Sequence, residues 1–377
     1  MAVRLQQHLE RSIAEAADPV AAACLQAELA VLRARLGYAD EAQALVEQIA
    51  ALQARDPRPT LSAWLALARA LVGYCGDRNE PAYQPLARAL AMAAAARVRP
   101  VQALAAAWLS HMHYLGNDSV LMARYAAQAL QEAEPGHHSA RSRACLVVAQ
   151  SYHYAGDLPT AQCWYRRAHE HATAEGDGAT LAALLHNRAG IDSNNARLQR
   201  LYGAEARPAM LMPLRETLAA LESAQHLNDH LRIGNEDPMV PMLKALLMVI
   251  SDQPEVALAL YRQHFDAGLR DGMQHYAGAL LAERAWCQLQ LGRLDEAEAD
   301  ATLALAALSD EARLDDNEEV AATLAWVALL RRHQGREAEA EGLLVRGRER
   351  LQRYQQLRQS VREQFDLALA RVEMPVR

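Results

Sequence analysis

Histidines supply the side chains of this sequence whose spacing comes nearest to a catalytic or metal-binding motif. The segment His169-Glu170-His171 has the residue types of a zinc site, but its two histidines are only two positions apart. They therefore lie about 200° apart around a helix and cannot bind one zinc ion together. We interpret the segment as a solvated helix end.

His113 and His153 form a second candidate because they recur in register, within Ser-His-Met-His-Tyr-Leu-Gly-Asn at 110–117 and Gln-Ser-Tyr-His-Tyr-Ala-Gly-Asp at 150–157. Neighbouring helices could bring them together. No carboxylate or thiolate recurs nearby at the same repeat positions to complete a metal site, however. Phosphate-binding loops, dinucleotide-binding glycine motifs and hydrolase motifs are missing from the sequence. We therefore expect no catalytic residues, no metal and no cofactor, with an enzyme of unfamiliar site as a remote alternative.

The elements that must position these histidines follow a period of about 40 residues. Four glycines are 39, 40 and 40 residues apart, and after an irregular stretch the period returns with intervals of 40 and 43. Each of these positions closes one Ala/Leu-rich helical stretch and precedes another, which is typical of stacked helical repeats. The turn positions are Gly37, Gly76, Gly116, Gly156, Asp252, Gly292 and Gly335.

Small residues recur at fixed distances from these turns. Alanine stands seven residues before five of the seven turns and five residues after five of them. Small side chains at matched points of two helices indicate where the helices cross closely. The first set is Ala30, Ala149, Ala245, Ala285 and Ala328, and the second is Ala42, Ala161, Ala257, Ala297 and Ala340.

The order small residue, turn glycine, alanine, aromatic, alanine resembles the tetratricopeptide repeat (TPR). Its clearest copy here runs from Ala149 through Gly156, Ala161 and Tyr165 to Ala168. The resemblance covers most of residues 20–175 and 239–350, with a longer period than the 34 residues of the standard repeat. Long units of this kind are similar to the TPR arrays of bacterial regulators.

The resemblance implies an all-α fold, a right-handed α-solenoid of stacked antiparallel helix pairs. We expect TPR-like repeats over 1–175 and a degenerate repeat with an irregular insertion over 176–238. Further repeats and a capping helix would occupy 239–377 and continue the same solenoid. Within the insertion, a turn is expected near Ala196, and the region 197–240 is left open between a hinge, a lid and a plain loop.

The resemblance also implies where a ligand would bind. In TPR arrays the first helix of each pair lines a concave face, and its ligand-facing positions lie at fixed distances before the turn. In this chain the corresponding positions are counted back from five turns: Gly116, Gly156, a turn near Ala196, Asp252 and Gly292. The resulting candidates are Ser110, His113, Tyr114, Arg143, Gln150, His153, Tyr154, His186, Asn187, Asn194, Met242 and Trp286.

These residues predict a non-catalytic scaffold that binds a peptide or protein segment on its concave face. An alternative is a ligand-sensing module of a bacterial signalling or transcription system, which recognises a small signalling ligand and acts on a partner. A further alternative is structural, with Tyr114 and Tyr154 packed between repeats and the methionines around Met242 in the core. Protonation of His113 and His153 near pH 6 would tune binding in the first interpretation.

Composition limits the partners and the compartment. The net charge is −7, which argues against nucleic-acid binding. No apolar run reaches the length of a membrane span, and the first residues are too polar for a secretory signal. The five cysteines are scattered and include no CxxC pair. We therefore expect a cytoplasmic protein with reduced cysteines, no membrane contact and no nucleic-acid partner.

Overall fold

The computed structural model describes residues 4–206, 213–231, 238–308 and 317–372. Within these ranges the chain is helical and has no strand, so the predicted all-α class is confirmed. Two short 3₁₀ segments, Gly203–Ala206 and Gln274–Tyr276, accompany the α-helices. The α-helices are α1 (Arg4–Glu15), α2 (Pro19–Arg35), α3 (Ala39–Arg55), α4 (Pro59–Gly76), α5 (Tyr83–Ala96), α6 (Arg99–Leu115), α7 (Ser119–Glu132), α8 (His138–Ala155), α9 (Leu158–Glu175), α10 (Gly178–Tyr202), α11 (Leu214–Leu231), α12 (Met239–Ile250), α13 (Pro254–Arg270), α14 (Ala277–Gln290), α15 (Leu294–Ala307), α16 (Asn317–His333) and α17 (Glu337–Leu369).

After α1 the helices follow one another as pairs. Helix α2 packs on α3, α4 on α5, α6 on α7 and α8 on α9, and the same holds for α12 with α13 and α14 with α15. First helices of successive pairs also pack together, as α2 does with α4, α6 with α8 and α14 with α16. This is the arrangement in which each repeat buries its apolar face on its neighbours.

Five of the seven predicted turn positions have the left-handed backbone that ends a helix. The other two positions do not have this backbone: Gly76 is the last residue of α4, and Gly116 has φ −92°. A residue with positive φ leaves the helix cheaply only when it is glycine, asparagine or aspartate. The five positions are Gly37, Gly156, Asp252, Gly292 and Gly335.

At the third turn the left-handed residue is Asn117, with φ 56°, one position after Gly116. Gly116 serves packing instead. The Tyr83 hydroxyl donates to the carbonyl of Met112 over 3.0 Å and occupies the space that a Cβ on Gly116 would need.

The matched alanines are buried as predicted. All ten are at most 1 % exposed.

Aspartates cap the N-termini of two helices. The side chain of Asp157 accepts from the Thr160 N–H, and that of Asp118 accepts from the Leu121 N–H. Such caps satisfy backbone donors that the first turn leaves free.

The turn expected near Ala196 is wrong. Helix α10 continues through this position to Tyr202, and the left-handed residue is Gly203, with φ 55°. The irregular region of the sequence is therefore helical on both sides of the turn, in α10 and α11. Residues 207–212 and 232–237 of the predicted hinge, lid or loop lie outside the described residues.

The described residues fall into two compact units. The first lies within Met1–Leu184, Gln225–Glu236 and Val361–Arg377, and the second within Leu185–Ala224 and Asp237–Ser360. These bounds differ from the three segments expected from the sequence, and a single right-handed solenoid stays a prediction.

The first unit has an alanine-rich core around Trp64 and Trp108 and a separate leucine cluster that joins α1 to α2. In the second unit, Leu221, Val240 and Leu247 belong to a cluster that links α11 and α12. No helix of the described ranges is long and apolar enough to cross a bilayer.

The five cysteines form no disulfide. Cys145 and Cys287 are buried, Cys24 and Cys75 are half-buried, and Cys163 on α9 is exposed. Burial raises the pKa of Cys24 to about 11 and the pKa values of Cys145 and Cys287 to about 12.

Candidate functional site

A cavity inside the first unit gathers five charged side chains. Its volume is about 40 Å³, room for roughly three water molecules. Its walls come from α1, α2, α6, α8 and the turn between α9 and α10, with Leu5 and Leu32 among the apolar contributors. The charged side chains are Glu28, Arg35, Arg143, Glu175 and Asp177.

Local sequence explains how the acidic residues reach the cavity. Gly176 ends α9 with φ 78°, so Glu175 and Asp177 stand on either side of a sharp turn. The turn is held by the N–H of Leu5, which donates to the Gly176 carbonyl over 3.3 Å. Helix α1 therefore closes the cavity on the side of this turn.

Arg35 and Asp177 form a complete ion pair at one side of the cavity. The Arg35 guanidinium donates to Asp177 Oδ2 over 2.8 Å and to the Thr180 hydroxyl over 2.7 Å. Asp177 also accepts from the Thr180 N–H over 3.0 Å, which caps α10. Burial alone would raise the pKa of Asp177, but the Arg35 charge and these hydrogen bonds outweigh it and hold the pKa below its usual value.

Arg143 has no such partner. Arg143 is 7 % exposed, and its guanidinium carbon lies 4.1 Å from the centre of the Trp108 ring. Within the described ranges its guanidinium makes no hydrogen bond or ion pair. Burial, together with repulsion from Arg35, lowers the pKa of Arg143 to about 10, so the group is still a cation at neutral pH.

The two glutamates of the cavity are partly or mostly protonated at neutral pH. Burial raises the pKa of Glu28 to about 7. Burial, then repulsion from Asp177 and Glu28, raises the pKa of Glu175 to about 8. Oε2 of Glu175 is buried and has no hydrogen-bond partner in the described part of the chain.

The charges of the cavity therefore do not balance at neutral pH. Asp177 compensates Arg35, while Glu175 is mostly protonated. Only the ionised fraction of Glu28 offsets the positive charge of Arg143. The cavity thus favours an anion.

His111 lies next to Trp108 and is not part of the cavity lining. Its ring lies 5.6 Å from the Trp108 ring, and its buried Nδ1 has no hydrogen-bond partner among the described residues. Burial and the Arg143 charge lower the pKa of His111 to about 3. The imidazole is neutral above that pH and does not compete with Arg143 for an anion.

Six of the candidates predicted from the resemblance are buried, which corrects the expectation of an open polar row. Ser110 donates to the Met122 carbonyl over 2.8 Å, and His153 Nδ1 lies 3.3 Å from the Tyr165 hydroxyl. Met242 is core and contacts Gly268. The six are Ser110, Arg143, Gln150, His153, Tyr154 and Met242.

The other six candidates are partly exposed, and none of them lines the cavity. They are His113, Tyr114, His186, Asn187, Asn194 and Trp286. The Trp286 and Trp326 rings lie 5.6 Å apart in the second unit.

His113 lies between Tyr83 and Tyr125, with ring centres 4.8 and 5.5 Å away. Burial lowers the pKa of His113, and Asp118 counters this only in part. The pKa of His113 therefore lies below that of a free histidine.

The turn after α10 is at Gly203, seven residues later than the expected turn near Ala196. Positions counted back from the turn therefore shift by seven residues. Counted from Gly203, the position six residues before the turn is Arg197, where the expected frame had placed Gly190. Asn194, a predicted ligand contact, accepts from Arg197 over 2.6 Å.

Arg197 is the centre of a buried ion network in the second unit. It donates to Glu283 over 3.2 Å and to Glu319. The Tyr261 hydroxyl donates to the second oxygen of Glu283 over 2.6 Å. Burial alone would lower the pKa of Arg197, but the two carboxylates outweigh it and raise the pKa. The guanidinium thus has its counter-charges within the fold.

Sequence reasoning missed four of the five charged cavity residues: Glu28, Arg35, Glu175 and Asp177. The one available signal was Asp177, which stands three residues before Thr180 as a helix cap does. Arg143 was found through its repeat position. Comparison with protein-family models and with curated proteins found no match to this chain.

Proposed function

We propose that this protein is a non-catalytic helical-repeat module of tetratricopeptide type whose first unit senses a small anionic ligand in the cavity beside Arg143. A sensor of this type passes the bound state to a partner protein, as in the cytoplasmic regulators of bacterial signalling or transcription that the repeat pattern resembles. The observation that carries the proposal is Arg143, which is 7 % exposed, lines the cavity and has no acceptor for its guanidinium among the described residues.

The energetic argument concerns the cost of an unpaired buried charge. Transfer of a cation out of water is unfavourable unless hydrogen bonds and an opposite charge replace the water. A repeat stack with a structural role alone could fill this space with alanine and leucine, as it does at the ten matched positions. Retained charge around a cavity supports binding as its role.

A scaffold for a peptide or protein segment is the second candidate. It is favoured by the partly exposed side chains of His113 and Tyr114 in the first unit and of Asn187 in the second. Burial of Ser110, Gln150 and His153 removes most of the polar row that a peptide would contact. The small volume of the cavity therefore supports a small ligand better than an extended peptide.

The test is a thermal-shift screen of the purified protein against small acids, phosphate esters, amines and neutral amides at equal ionic strength. A ligand that binds only the native state raises the melting temperature by mass action. We expect the anions to raise it and the amides to leave it unchanged. A screen in which no anion raises the melting temperature contradicts the proposal.

A further inference from the structure

The guanidinium of Arg143 is available to an oxyanion. Its central carbon lies 4.1 Å from the centre of the Trp108 ring, and its N–H donors have no acceptor within the described ranges. A guanidinium presents such donors as a fork that matches the two oxygens of a carboxylate. The free fork therefore suits a carboxylate.

The charge of the cavity selects a monoanion. Arg35 and Asp177 already balance each other, so one negative charge balances Arg143 when Glu28 and Glu175 are protonated. A dianion such as sulfate would bring a second charge close to Asp177. The protonated carboxyl of Glu175 adds a donor to the cavity wall rather than a repelling charge.

Size and polarity restrict the remainder of the ligand. A volume of about 40 Å³ holds a carboxylate and one or two further carbon atoms. The apolar residues of the lining include Leu5, Leu9, Leu32 and Leu104. Such walls suit a short alkyl group rather than a second polar group.

We infer that the cavity binds a short-chain monocarboxylate, with its carboxylate held by Arg143 and its alkyl end against the leucines of α1, α2 and α6. This inference rests on the proposed sensor function and names the ligand class of the same cavity. It makes Arg143 the residue that determines specificity.

Acetate and acetamide test the inference directly because they have nearly the same shape and differ in charge. Calorimetric titration at pH 6.5 and constant ionic strength should show binding of acetate and propionate, and no binding of acetamide or methylammonium. Replacement of Arg143 by methionine should weaken acetate binding about tenfold or more, as loss of charged hydrogen bonds does. Arg143→Lys keeps the charge but loses the fork. It should bind acetate more weakly than the wild-type protein and more tightly than Arg143→Met.

Arg167→Met is the matched control. Arg167 also lies over a tryptophan, at 4.7 Å from the Trp164 ring centre, but on α9 and outside the cavity. We expect it to bind acetate like the wild-type protein. If Arg143→Met does not fold, the wild-type comparison of acetate with acetamide, together with Arg143→Lys, decides the question.

Equal binding of acetate and acetamide, or acetate binding that Arg143→Met and Arg143→Lys leave unchanged, overturns the inference. Binding confined to phosphate esters also overturns it but leaves the proposed anion sensor in place, whereas binding confined to amines or neutral amides overturns both proposals. Absence of binding by every class overturns both proposals.

Discussion

Arg143 in the first unit and Arg197 in the second are both buried arginines, at 7 % and 3 % exposure, and they differ in what surrounds the charge. Arg197 has Glu283 and Glu319 as counter-charges. Arg143 has an aromatic ring and a cavity. A buried cation that is matched within the chain belongs to the fold, whereas the charge of an unmatched one is left for the proposed ligand to balance. The two units thus use the same residue type for two purposes.

Arg197→Met is expected to have the largest effect. It leaves Glu283 and Glu319 buried without their cation, and breaking a buried pair in this way costs about 3–5 kcal/mol. The free energy of unfolding, measured by urea titration with circular dichroism, should fall by that amount. Addition of Glu283→Gln and Glu319→Gln should recover part of the loss because no unpaired carboxylate then remains. A loss below about 1 kcal/mol would show that the network is not structural.

Glu175→Gln should change the pH dependence of stability. The pKa of Glu175 is about 8 in the folded protein against 4.5 for a free glutamate. Between these values the unfolded chain has lost the proton and the folded chain has kept it, so stability falls as pH rises through this window.

The glutamine variant lacks this contribution, on the order of 1–2 kcal/mol after allowance for solvent screening. Melting temperatures at pH 5, 6, 7 and 8 measure it. The residues that face Glu175 (Glu28, Arg35, Ser139, Arg143 and Asp177) are unchanged in the variant. Glu170→Gln, at an exposed position on the same helix, is the control. Wild-type and Glu175→Gln curves that stay parallel from pH 5 to 8 would refute the assignment.

Arg143→Met should affect stability far less than Arg197→Met. Methionine keeps the apolar contact with Trp108 and removes an unpaired charge, so we expect a free energy of unfolding that is unchanged or raised by up to about 1 kcal/mol. The same urea titration measures it. A destabilisation of about 3 kcal/mol would make Arg143 a structural residue like Arg197 and would end the contrast between the units.

Arg167→Met should have the smallest effect. Cation–π contacts at exposed sites contribute about 0.5–1 kcal/mol, so the melting temperature should fall slightly or not at all. A loss as large as that of Arg197→Met would show that the arginine–tryptophan contact itself is structural, and would weaken the argument for Arg143.

The helix pairs could be predicted from the sequence because their determinants are local and periodic. Alanines at fixed distances from Gly156 or Gly292 indicate a close crossing whatever the remaining chain does. The cavity could not be predicted, since its ion pair joins Arg35 to Asp177 over 142 positions. No spacing rule connects such residues.

The frame error in α10 has a similar origin. Ala196 lies one period of 40 residues after Gly156, but the helix continues to Tyr202. The Tyr202 hydroxyl donates to the Ala321 carbonyl over 2.8 Å, a contact between residues 119 positions apart. Tertiary contacts of this kind outweigh local propensity.

The distribution of thiols gives this protein a natural labelling site. Cys163 is exposed, whereas the high pKa values of Cys24, Cys145 and Cys287 keep these three thiols protonated and unreactive at pH 8. A maleimide dye should therefore attach at Cys163 ahead of Cys24, Cys145 and Cys287 without prior mutagenesis. Its fluorescence would report changes around α9, the helix that ends at Glu175, during titration with candidate acids.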